Sequence, residues 1–138
     1  MGVDSFLNYA NVVMRMKLVP SCEIVVKEFF PSVRALIAKE LTDILNHTQA
    51  EAARLMGVTQ PAICQYKKSL RGKNSQILLA NEIVAKSIQE SAKLLSKSKP
   101  EERLDVMCNI CEVIRTVGII EQLNGNSVPL IKLEQNNQ

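Results

Sequence analysis

With 138 residues and 46% apolar composition, the chain is long enough to bury one sizeable core, as one domain or two small ones. A net charge of +3 is too modest to name a partner, so any case for a polyanion rests on where the charges cluster. No basic leader with an apolar core opens the chain and no apolar run is long enough to span a bilayer, so the expectation is a cytoplasmic protein without a membrane partner.

Residues 4–18 place Phe6, Leu7, Ala10, Val13, Met14 and Leu18 at helical spacing, an amphipathic helix that needs a partner. Residues 1–20 are read as this separate N-terminal element. Val19-Pro20-Ser21 breaks it, with Ser21 placed to cap the next helix. Residues 22–46 then read helical, and Pro31 means either one kinked helix or two that abut. Val33, Leu36, Ile37, Leu41, Ile44 and Leu45 form its apolar stripe. Asn46-His47-Thr48 matches the glycosylation acceptor pattern, but Thr48 stands where a helix cap belongs, and the cap reading is preferred.

From Gln49 to Lys68 the chain reads as two short helices meeting at a turn on Gly57. Ala52, Ala53 and Met56 recur on one side of the first, and Gly57 supplies the left-handed residue that ends it. Thr59 caps the second helix and Pro61 occupies its first turn, where a missing N–H costs nothing. At about 100° per residue, Ile63, Tyr66 and Leu70 face one way and Pro61, Cys64, Gln65 and Lys68 the other. Between Ala52 and Asn81 there is no acidic residue, while Arg54, Lys67, Lys68, Arg71 and Lys73 are basic, a field that attracts phosphate.

Gln49, Ala53, Gly57, Val58, Thr59, Gln60, Ile63 and Tyr66 together resemble the pattern of the lambda-repressor/Cro-like superfamily of helix-turn-helix regulators, over residues 33–74. The segment Pro20 to Leu41 is also similar to predicted archaeal transcriptional regulators, some of which carry the same module fused to a thiamine-phosphate synthase domain. A chain of 138 residues leaves no room for that enzyme domain. The resemblance implies a DNA-binding domain over residues 21–74 in which Gln49 braces the reading glutamine, Gln60, and a phosphate. Thr59, Gln60, Pro61, Cys64, Gln65, Lys67, Lys68, Arg71 and Lys73 complete the expected DNA-binding set, amides reading adenine and cations reaching guanine or phosphate.

Residues 75–138 read as a helical dimerisation region and tail. Ser75 is placed to cap a helix running to about Lys97, and a second helix spans roughly residues 100–117. The second is apolar nearly all round: Leu104, Met107, Cys111 and Ile114 form one seam, with Val106, Ile110 and Val113 beside it. A two-fold homodimer reading an inverted repeat in double-stranded DNA is the resulting expectation. Asn124-Gly125 between apolar runs leaves a short C-terminal β-hairpin open. The expected fold is therefore all-α, a helix-turn-helix DNA-binding bundle followed by a long helical hairpin.

Cys108-Asn-Ile-Cys111 points two thiols to one side of a helix, and two such pairs across a dimer axis would complete a zinc or iron–sulfur site. A structural role for buried cysteines is favoured, so no cofactor is expected. No catalytic constellation emerges, and the chain is read as a non-enzyme. A dimeric sequence-specific transcription regulator is the leading function; the alternative is a structural or adaptor protein using the same helices to bind protein.

Overall fold

A computed structural model describes residues 18–71, 73–99 and 101–121, with the side chains of Arg71 and Lys73 left out. The described residues are all helical apart from their connections: α1 (Ser21–Glu28), α2 (Phe30–Lys39), α3 (Gln49–Met56), α4 (Gln60–Lys68), α5 (Lys73–Ala80), α6 (Glu82–Lys97) and α7 (Val106–Thr116). Among them no helix is long and apolar enough to cross a membrane. The amphipathic segment expected over residues 4–18 lies outside the described residues, except for Leu18.

Pro31 resolves into two abutting helices. Phe29 stands between them at φ −108°, and Pro31 sits in the first turn of α2, where its missing N–H is not needed. Ser21 does not cap α1. Pro20 holds that position in extended geometry, without a side-chain cap. Phe29 is wholly buried, so the joint itself enters the core.

α2 is the hub of the fold, packing against α1, α4, α5 and α6. Val33, Leu36, Ile37, Ala38 and Leu41 are buried along it, as the apolar stripe requires. The stripe fails at Ile44, which is more than half exposed. Residues Glu40–Ile44 continue α2 as a π-helical turn, Leu45 N–H reaching back to the Glu40 carbonyl at 3.0 Å. That wider turn advances fewer degrees per residue and rotates Ile44 out of the seam.

The helix expected from Ser75 to Lys97 is two. Asn81 accepts hydrogen bonds from the Ile83 and Val84 N–H groups at 3.1 and 3.2 Å, capping α6 and ending α5. Ser75 instead lies buried inside α5, its hydroxyl without a partner among the described residues. α7 begins at Val106 rather than near residue 100 and packs against α1 and α6. Val106, Ile110, Cys111 and Ile114 are all buried within the chain itself. The second apolar flank, for which the sequence calls on a partner subunit, is therefore covered largely by α1 and α6.

There is no strand among the described residues. Residues 119–121 include a 3₁₀ turn with Ile119 buried, so the C-terminal β-hairpin does not begin there; the rest of that segment lies outside the described residues.

Candidate nucleic-acid interface

Local chemistry sets the ends of α3 and α4 and the turn between them. The Thr48 hydroxyl accepts the Glu51 N–H at 3.1 Å and starts α3. Gly57 then adopts φ +68°, and the Val58 N–H bonds the Ala53 carbonyl at 3.0 Å, closing α3 with a left-handed cap. Two residues later the Thr59 hydroxyl accepts the Ala62 N–H at 3.4 Å, with Pro61 in the first turn of α4. Ala52 and Ala53 are buried, small enough for a close crossing with α4.

α4 presents two different sides. Ile63 is fully buried, and Tyr66 and Leu70 are partly buried against the core beside it. Gln60, Pro61, Cys64, Gln65 and Lys68 are all exposed, on the outward face expected from the helical spacing. Thr59 is exposed as well, at the tip of the turn.

Gln49 belongs to this surface through a contact the resemblance does not imply. Its side-chain oxygen accepts the Cys64 thiol at 3.2 Å, which ties the start of α3 to the middle of α4. The brace falls on Cys64, and no hydrogen bond joins Gln49 to Gln60 among the described residues.

The electrostatics are less one-sided than the acid-free stretch suggests. Lys67 Nζ lies 3.1 Å from Asp43 Oδ1 of the π-helical turn, and Arg54 lies 2.6 Å from Glu51. The Lys67 ammonium, with help from the Thr42 hydroxyl at 3.1 Å, holds the Asp43 carboxyl below its ordinary value. The Arg54 guanidinium does the same to Glu51. Both acids lie outside the Ala52–Asn81 window that looked uniformly basic, and folding brings one of them, 24 residues away in sequence, onto Lys67 of α4. Lys68 is exposed with no ion pair among the described residues, while Arg71 occupies a 3₁₀ turn and Lys73 the start of α5.

Cys108 and Cys111 do not face the same way. Cys111 is buried and Cys108 exposed, because three residues of helix leave a 60° offset that here straddles the edge of the core. A hydrogen bond to the Asp105 carboxylate pushes the Cys108 thiol above its ordinary value, with Cys111 and Cys22 adding to the shift. That disfavours the thiolate a metal would need. Among the described residues, no group of three or more His, Cys, Asp or Glu side chains could hold a metal ion.

Compared with known proteins, the chain matches no family model, no curated protein and no solved structure.

Proposed function

We propose that the chain is a cytoplasmic, sequence-specific DNA-binding transcription regulator of the lambda-repressor/Cro-like type, with α3, the Gly57 turn and α4 as its helix-turn-helix. One observation carries this reading: α4 hangs from the core by Ile63 and turns Gln60, Gln65 and Lys68 outward together. A helix anchored on one side and lined with amides and a cation on the other fits a major groove, where paired amides discriminate adenine. The test is duplex binding at two salt concentrations. Gln60→Ala is expected to lose discrimination at one or two base positions, by about 1 to 3 kcal/mol, with nonspecific binding intact. Lys68→Ala is expected to weaken all duplexes alike and to lower the salt slope by roughly one. No binding to any genomic fragment at low salt would leave the adaptor function standing instead.

A dimer remains part of the proposal, on a different surface. With the inner faces of α7 buried in the chain, the apolar side chains left outside in residues 75–117 include Leu79, Ile83 and Leu94, exposed by 52, 64 and 50%. Ile83 and Leu94 are three turns apart on one side of α6, about 16 Å along its axis. Sedimentation at micromolar concentration is expected to give a dimer, and a Leu79→Glu/Ile83→Glu chain a folded monomer with weaker operator binding. A wild-type monomer overturns this.

A further inference from the structure

A cleft of about 310 Å³ opens between the α3–α4 turn and the connection from α6 to α7. That is the lower end of the range, roughly 300 to 1,000 Å³, of small-molecule sites. Six parts of the chain meet around it. Val58 from the turn, Leu95 from the end of α6 and Met107 from the first turn of α7 supply apolar wall. Arg34 of α2, Arg54 of α3, and Lys99 and Glu102 of the connection supply the charges.

These charges are unequally satisfied. Arg54 is paired with Glu51 at 2.6 Å, while the Glu102 carboxylate accepts the Lys99 backbone N–H at 3.3 Å and keeps its charge, leaving the cations in excess. The half-buried Arg34 guanidinium lies 5.7 Å from the Phe30 ring centroid, over its face, and the Lys99 side chain is exposed. Among the described residues neither of these two cations is in an ion pair. A hydrogen bond lies next to the cleft. One residue beyond Leu95, the Ser96 hydroxyl and His47 Nε2 are hydrogen-bonded at 2.6 Å, fastening the end of α6 to the loop that leads into α3.

We propose that this cleft binds a small amphipathic anion, its carboxylate or similar head group between Arg34 and Lys99 and its apolar body against Val58, Leu95 and Met107. A cation on a half-buried rim favours an anion, and the apolar wall rejects a strongly hydrated inorganic one. Such a ligand touches the α3–α4 turn and the α6–α7 connection at once. The proposal stands whether or not α4 binds DNA, so it is tested without DNA.

The probes are 2-naphthoate and 2-naphthamide, equal in shape and different in charge, titrated into the full chain by methyl NMR and calorimetry. Naphthoate is expected to shift the Val58, Leu95 and Met107 methyl signals saturably, and to bind about threefold to tenfold more tightly than the amide. Lys99→Gln, an exposed change, is expected to remove part of that preference, and Arg34→Gln/Lys99→Gln to abolish it in a chain whose circular dichroism shows native helicity. Should the double variant lose its helicity, Lys99→Gln alone decides. Naphthoate that leaves those methyls unmoved at millimolar concentration, an amide that binds as tightly, or a preference unchanged in Lys99→Gln overturns the site.

Discussion

Ile110→Glu is expected to unfold the chain, not to release folded monomers. Read from the sequence, Ile110 belongs to an outer flank of α7 that a partner subunit would cover. In the fold its exposure is 0%, and α7 lies against both α1 and α6. A carboxylate placed at a position with no exposure stays protonated at a cost or drags α7 out of the core. Burying an unpaired charge costs several kcal/mol, against a total stability of about 5 to 15 kcal/mol for a domain. The expected result is loss of the cooperative urea transition. Asn109→Glu, at the exposed neighbouring position, is the control and should move stability by no more than about 0.5 kcal/mol. An Ile110→Glu chain with wild-type helicity and midpoint would show that α7 turns another side to the core.

Ile63→Ala is the second large effect, and it separates anchoring from reading. Of the residues in α4, Ile63 alone is buried, and α2 lies across it. Removing its branched side chain costs about 2 to 5 kcal/mol, depending on how far α4 can settle into the space. Most of that loss falls on one short helix of nine residues, too short to persist without its packed face. Amide exchange in α4 is therefore expected to accelerate more than exchange in α6 or α7, and specific duplex binding to fall with it, although Ile63 touches no base. If exchange accelerates uniformly along the chain, α4 is cooperative with the whole core. If α4 frays while duplex binding is unchanged, α4 is not the reading helix.

Part of this molecule is legible from its sequence because the signals there are local. The capped pair α3 and α4 can be placed to the residue because Thr48, Gly57, Thr59 and Pro61 act on backbone groups within four positions of themselves. The outward set Gln60, Pro61, Cys64, Gln65 and Lys68 then comes from helical phase once those ends are known. The break at Asn81 escapes the sequence reading although its signal is equally local: an amide that caps the next helix, inside a run whose apolar spacing otherwise continues.

By itself, then, the sequence determined the helical character of the chain, the boundaries of α3 and α4 and the outward side of α4, since each depends on interactions spanning a single turn. Only the tertiary structure decided the rest. It chose two helices at Pro31, because Phe29 is drawn into the core. It turned Ile44 outward through a π-helical turn, and set Asp43 against Lys67 across 24 residues. It closed α1 and α6 over Val106 and Ile110, and gathered Arg34, Val58 and Lys99 around one cleft. An apolar helix face reads the same in the sequence whether its cover comes from the same chain or from another, and charges distant along the chain carry no mark of the partner that folding will bring.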